Sequence, residues 1–156
     1  MVKKVLVMAT ALIILPSLLF AEAGSKKWGV GVNYPGLSLK CMLNAKQTIE
    51  LKAQFGKDIF VVGPRYYHNF RQKGKVNLFF GGEGNYLTFK GAISEGSGFA
   101  VGAFVGGEYF TTPNLGVSLD IGPAYISLKD KDTDKDEGGL DFVTNLGLTY
   151  YFGGGR

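Results

Sequence analysis

Apolar and polar residues alternate with a period of two through most of the chain, segment after segment. The first clear segment places Trp28, Val30 and Val32 on one side and Gly29 and Gly31 on the other. Strict alternation over several residues is typical of a β-strand whose two faces meet different environments. After Gly24 no segment has the spacing of an amphipathic helix, so the alternation predicts an all-β domain.

Seven turn signals divide the alternating region into eight segments. Glycine, proline, asparagine and charged residues cluster at these breaks, as they do in turns and loops. The predicted turns and loops are Tyr34 to Gly36, Asn44 to Lys46, Gly56 to Asp58, Arg71 to Lys75, Gly91 to Ser97, Thr111 to Asn114 and Lys129 to Gly138. The first two segments are short, while most of the others reach the ~9–11 residues with which a tilted strand crosses a hydrocarbon layer. An even number of antiparallel strands also agrees with the bacterial rule for membrane barrels.

Charged residues within the segments all share the polar side of the alternation. These residues are Lys40, Glu50, Lys52, Arg65, Glu83, Glu108 and Asp120. In a soluble β-sandwich the charged side faces water, whereas in a membrane barrel it lines the lumen. We therefore expect these seven residues to form a lumen charge network if the chain is a membrane barrel.

Glycine and aromatic residues favour the barrel over the sandwich. The chain contains 24 glycines, several of which share the polar side with the charges; a solvent-facing strand gains nothing from glycine, whereas a narrow lumen requires small side chains. Tyrosine and phenylalanine cluster near the ends of the apolar rows, where they could form two interfacial girdles. The girdle candidates are Phe55, Tyr66, Phe70, Tyr86, Phe99, Tyr109, Tyr125, Tyr150 and Phe152.

The first 23 residues have the organisation of a secretory signal peptide. Lys3 and Lys4 precede an apolar stretch from Val5 to Leu15, and Ala21-Glu22-Ala23 supplies small residues for cleavage. We expect residues 1–23 to be removed and residues 24–156 to form one outer-membrane β-barrel domain. Without Lys3, Lys4 and Glu22, the 17 basic and 13 acidic residues leave a net charge of +3, too mild to indicate nucleic-acid binding.

The closing segment, Leu148-Thr149-Tyr150-Tyr151-Phe152, resembles the final strand of outer-membrane barrels, which usually ends on an aromatic residue. The mature chain as a whole is similar in pattern and length to the small OmpX, OmpA and opacity-type barrel families. This resemblance implies an eight-stranded antiparallel up-and-down transmembrane β-barrel in the bacterial outer membrane. It also implies outer-membrane lipid and the barrel assembly machinery as partners, and we expect a monomer.

Candidate catalytic and metal-binding residues are few. His68, the only histidine, lacks a serine two residues further on, and we expect it to pack at an interface. Cys41, the only cysteine, lies among leucines, which predicts a buried, inert thiol. The run from Asp130 to Asp136 has acidic residues at spacings used for calcium, but Lys135 stands where the sharp turn of such a loop needs glycine. We expect a solvated loop, no metal, no cofactor and no enzymatic activity.

These observations favour a structural or interaction protein with a plugged polar lumen and surface-exposed loops. Two alternatives stay open: a narrow pore or lipid-facing transporter, and a soluble periplasmic lipocalin-like binder of a small apolar ligand. A lipid-modifying enzyme is a further class, against which the lone histidine argues. We expect the termini and the short turns near Asn44, Lys73 and Pro113 to face the periplasm, because barrels place their longer loops outside.

Overall fold

Eight antiparallel strands close into a barrel in the computed structural model, which describes residues 27–91, 95–130 and 136–152. Each described strand pairs with its neighbours in chain order, and the last strand pairs with the first. The strands are β1 (Lys27–Asn33), β2 (Gly36–Met42), β3 (Gln47–Phe55), β4 (Ile59–Lys73), β5 (Val76–Lys90), β6 (Glu95–Thr112), β7 (Leu115–Asp130) and β8 (Asp136–Phe152). The predicted all-β, eight-stranded, up-and-down antiparallel barrel is confirmed. The predicted signal peptide lies outside the described residues.

The alternation in the sequence becomes an alternation between the inside and the outside of the barrel. In β7, Leu119 and Ile121 point outward with about half of their surface exposed (56% and 49%), whereas Ser118 and Asp120 point inward and are buried. Successive side chains of a strand lie on opposite faces of its sheet. The polar side of the sequence pattern therefore forms the interior, and the apolar side forms the outer wall. The described residues contain no helix long and apolar enough to cross a membrane.

The strands differ greatly in length, and two of the predicted loops are shorter than expected. β1 and β2 have seven residues each, whereas β6 has 18. The β5–β6 ladder continues to the pair Lys90 and Glu95, and the β7–β8 ladder continues to the pair Lys129 and Asp136. The predicted loops Gly91 to Ser97 and Lys129 to Gly138 were therefore too long. At this end both faces of β8 are exposed from Gly138 to Phe142, so the polar composition of these segments marks exposed strand rather than loop.

The connections between strands lie at two ends of the barrel, and the longest of them, between β7 and β8, lies at the end opposite the start of β1. The turn end is formed by the beginning of β1, the β2–β3, β4–β5 and β6–β7 turns, and the end of β8. In the β4–β5 turn, Gly74 adopts φ of 58°, a left-handed conformation that favours glycine. We call the opposite end, with the β1–β2, β3–β4, β5–β6 and β7–β8 connections, the loop end.

Two of the inward glycines are required by backbone contact rather than by lumen width. A Cβ at Gly63 would lie 2.0 Å from the Gly84 carbonyl oxygen, and a Cβ at Gly122 would lie 1.8 Å from that of Ala103. By contrast, a Cβ at Gly116 would meet the Glu108 side chain inside the lumen. The predicted explanation, a narrow lumen, therefore applies to Gly116, whereas Gly63 and Gly122 allow neighbouring strands to approach closely.

Candidate functional site

The seven charged residues singled out in the sequence all point into the barrel. They come from six consecutive strands: Lys40 from β2, Glu50 and Lys52 from β3, Arg65 from β4, Glu83 from β5, Glu108 from β6 and Asp120 from β7. None of the side chains in the ion pairs they form is more than 5% exposed. Because a buried charge without a partner is costly, the contacts among these groups decide what the interior can do.

Arg65 is at the centre of this lumen network. Its Nη2 atom lies 2.7 Å from Asp120 Oδ1 and its Nη1 atom lies 3.2 Å from Asp120 Oδ2, a two-pronged pair. Its Nε atom is 3.0 Å from Glu83 Oε2, and Nη1 is 3.7 Å from Glu50 Oε2. The planar fork of a guanidinium can bind several carboxylates at once, and here it joins groups from β3, β5 and β7.

The two lysines pair with the remaining charges. Lys52 Nζ lies 2.7 Å from Glu83 Oε2, so Glu83 bridges Lys52 and Arg65. Lys40 Nζ lies 3.7 Å from Glu108 Oε1. Every one of the four carboxylates therefore contacts at least one cation. With three cations and four carboxylates, the network has a formal charge of −1.

Neutral hydrogen-bond donors add contacts to three of the four carboxylates, Glu50, Glu108 and Asp120. The Tyr67 hydroxyl donates to Glu50 Oε2, and Asn33 Nδ2 donates to Glu50 Oε1 over 2.8 Å. Asn145 Nδ2 donates to Asp120 Oδ1 over 3.0 Å, and the Tyr151 hydroxyl donates to Glu108 Oε1 over 2.8 Å. These four residues lie on the polar side of the alternation, but only the charges had been assigned to the network. Their inward parity was the signal that could have found them.

Aromatic rings fill the space beside the Arg65 guanidinium. Its Cζ atom lies 4.0 Å from the centre of the Phe104 ring and 5.1 Å from that of Tyr67, within the range of cation–π attraction. Tyr67, Phe79 and Phe104 form a buried cluster with edge-to-face contacts. Phe79 and Phe104 were not predicted to face the interior, because large apolar residues on the polar side depart from the alternating pattern. Their position between inward residues could have revealed them.

The residues considered for chemistry lie elsewhere. His68 is on the outer face, where its ring centre is 5.1 Å from that of Phe80, so it does not reach the lumen carboxylates. Cys41 also belongs to the outer row and is buried. Among the described residues no group of histidine, cysteine and acidic side chains could hold a metal ion. The acidic run is described only at Asp130 and Asp136, and Asp132 and Asp134 lie outside the described residues.

Comparisons with known proteins add a fold-level likeness only. No protein-family model matches the chain, and no curated protein sequence matches it. Among solved structures, it is similar to Neisserial surface protein A. The two chains share 15% sequence identity with a TM-score of 0.46, and the match covers 81% of this chain and 93% of that chain.

The lumen network can hold the wall together. Its carboxylates contact the cations, and three of them also accept hydrogen bonds from neutral side chains. A substrate would have to displace paired buried charges to enter. The ion pairs connect charged side chains from six strands across the interior.

Proposed function

We propose that the chain is a monomeric outer-membrane β-barrel protein of the structural or interaction class, with a plugged polar lumen and surface-exposed loops. The observation that carries this proposal is the inversion of the barrel, in which charges are buried and large apolar side chains are exposed. Exposed outward residues include Leu51, Val105 and Leu119 at 53–56% exposure. In water a continuous apolar wall is unfavourable, whereas in a bilayer it meets the hydrocarbon.

The outward aromatics support the same environment. Phe70, Tyr109, Tyr150 and Phe152 lie towards the turn end, while Phe55, Tyr86, Phe99 and Tyr125 lie towards the loop end. Aliphatic residues such as Leu119 and Ile121 lie between them. Aromatic residues are enriched at the two membrane–water interfaces, so this order fits a barrel that spans one bilayer after export by the predicted signal peptide.

The barrel interior argues against the soluble alternative. A lipocalin-like protein encloses a cavity for an apolar ligand, but this interior is occupied by Arg65, Lys52 and their carboxylate partners. It also argues against the narrow pore, because the interior of an eight-stranded barrel is only wide enough for side chains to fill. Nothing in the lumen contacts favours an enzyme.

Cell fractionation followed by a heat-modifiability gel tests the proposed location. We expect the protein in the outer-membrane fraction, extractable only with detergent, and migrating differently before and after boiling because a closed barrel resists unfolding. Recovery of the folded protein from the periplasm without detergent would contradict the proposal and favour the soluble binder.

Planar-bilayer recording tests the plug separately. Because paired charges and aromatic rings occupy the lumen, the purified protein should conduct no steady ion current. A stable, reproducible open channel in the unmutated protein would contradict the plugged lumen and support the pore alternative, while leaving the membrane location intact.

A further inference from the structure

The turn end of the barrel is rimmed by positive charge. Its rim carries Lys27 at the start of β1, Lys46 in the β2–β3 turn, and Arg71, Lys73 and Lys75 around the β4–β5 turn. We call these five residues the basic rim. Among the described residues no exposed carboxylate lies at this end, and none of the five cations forms an ion pair.

The loop end has a different balance. Lys57, Lys90 and Lys129 are accompanied there by exposed acidic residues such as Asp58 and Glu95, and Lys90 Nζ lies 3.9 Å from Glu95 Oε2. Among the residues that the structure describes, the excess of positive charge therefore lies at the basic rim. Such a rim attracts anionic groups at the surface that it meets.

An apolar groove in the outer wall lies beside the basic rim. It encloses about 480 Å³, and its lining includes Trp28, Ile49, Leu51 and Tyr66, with Gly82 and Gly84. The groove exists partly because β5 presents two glycines outward, where the neighbouring strands carry larger side chains. A Cβ at Gly84 would have nothing within 4 Å, so the space over this residue is open.

The groove extends towards the turn end of the barrel wall. Trp28 lies at the turn-end start of β1, and Ile49, which pairs with Tyr66 across β3 and β4, lies three residues after Lys46. Lys46 belongs to the same hairpin as Ile49, and its carbonyl oxygen accepts a hydrogen bond of 2.8 Å from the Asn69 amide. A molecule lying in the groove can thus extend along the wall to the cations of the rim.

We propose that this surface binds an anionic glycerophospholipid, with its phosphate headgroup at the basic rim and an acyl chain in the wall groove. This inference rests on the proposed membrane location. Clustered lysine and arginine residues beside a membrane attract anionic lipid headgroups, and the groove offers the adjoining chain an apolar surface. The volume of the groove also falls within the roughly 300–1,000 Å³ that is typical of small-ligand sites.

Trp28 allows a direct test, because it is the only tryptophan in the chain. The full mature protein is reconstituted into phosphatidylcholine vesicles that contain a fixed fraction of acyl-brominated phosphatidylglycerol or acyl-brominated phosphatidylcholine. Bromine quenches indole fluorescence at short range. We expect the anionic lipid to associate near Trp28 at least about fivefold more strongly, the factor that one rim cation near an anionic surface contributes, and high salt should weaken this preference.

Matched variants separate the contribution of the basic rim to the lipid preference from that of the groove. Replacing Lys46, Lys73 and Lys75 by glutamine should strongly reduce the preference, whereas replacing Lys57, Lys90 and Lys129 by glutamine removes the same charge at the loop end and should leave it intact. Gly84→Leu fills the groove without a backbone clash and should also reduce the preference. Folding of every variant is checked by heat modifiability.

The outcomes distinguish this inference from the proposed function. Equal quenching by the two brominated lipids in a folded protein would overturn the anionic-lipid site and leave the membrane location standing. Folded protein whose Trp28 neither lipid quenches would overturn both. If that protein also cross-linked as a dimer through the groove, a second copy would be its occupant.

Discussion

Arg65 shows how one residue can connect strands that are distant in the sequence. Its guanidinium contacts carboxylates from β3, β5 and β7 and lies against the Phe104 ring, with its side chain only 1% exposed. Removing one partner of a buried ionic network leaves the others uncompensated, which is more damaging than never having had the network. The stability of the barrel therefore depends strongly on this side chain.

Arg65→Ala should lower the free energy of unfolding by about 3–5 kcal/mol, since three carboxylates lose their shared cation. The stability of Arg65→Lys should lie between that of Arg65→Ala and that of the unmutated protein, because lysine keeps the charge but loses the two-pronged pair with Asp120. The measurement is urea unfolding in lipid bilayers. Arg71→Ala, a change of the same type at the exposed rim, is the control and should stay within about 0.5 kcal/mol of the unmutated protein. Similar losses of stability for Arg65→Ala and Arg71→Ala would be evidence against a central role of Arg65 in the lumen network.

Leu119 tests the opposite face of the wall. Leu119→Arg would place a charge in the middle of the proposed lipid-facing band and should cost about 2–4 kcal/mol. Ser118→Arg, one residue earlier, enters the lumen, where a Cβ at Gly147 would already lie only 2.7 Å from Ser118 Oγ, so crowding should set its penalty. Ala45→Arg in the exposed β2–β3 turn is the control. If bilayer-folded protein tolerated arginine at Leu119 as well as at Ala45, the lipid-facing assignment would be wrong.

At the scale of the strands, alternation determines what the sequence can predict. The two faces of each strand follow from period two, and the number of strands follows from the turn signals between the segments. The inward position of the seven charges follows only when the glycines beside them and the aromatic residues opposite are also considered. The lengths of the strands could not be predicted from the sequence, because polar and glycine-rich segments such as Gly91 to Ser97 resemble loops whether or not their backbone is paired. The pairing partners of Arg65 did not follow either, since they depend on the register between strands, which hydrogen bonds and contacts of the whole barrel determine.

Glycine positions give a prediction at this scale. Gly63→Ala should destabilise the barrel by about 1–3 kcal/mol, because its Cβ would overlap the carbonyl oxygen of Gly84 on β5. Gly84→Ala is the matched control on the neighbouring strand, where the added methyl has open space and should change stability little. Unfolding of both variants in the same bilayer makes the comparison. A Gly63→Ala barrel as stable as Gly84→Ala would show that the strands can separate at no cost.

At the scale of the whole molecule, the difference between the two ends predicts its orientation. A membrane-impermeant maleimide added to intact cells should label Lys131→Cys, in the loop-end connection outside the described residues, and should label Lys73→Cys only after the outer membrane is opened. The native Cys41 is buried, so the unmutated protein is the background control. Labelling of Lys73→Cys but not Lys131→Cys on intact cells would reverse the orientation.

The alternation of apolar and polar residues along each strand also affects how such a chain crosses the inner membrane. A protein destined for an outer membrane must first pass an inner one, where about 20 consecutive apolar residues would be retained as a helix. In β7, polar or small residues separate Val117, Leu119 and Ile121, and residues 24–156 of the unfolded chain contain no such stretch. The apolar outer wall is therefore created by folding. It forms only when neighbouring strands bring their alternate apolar residues side by side, which follows translocation.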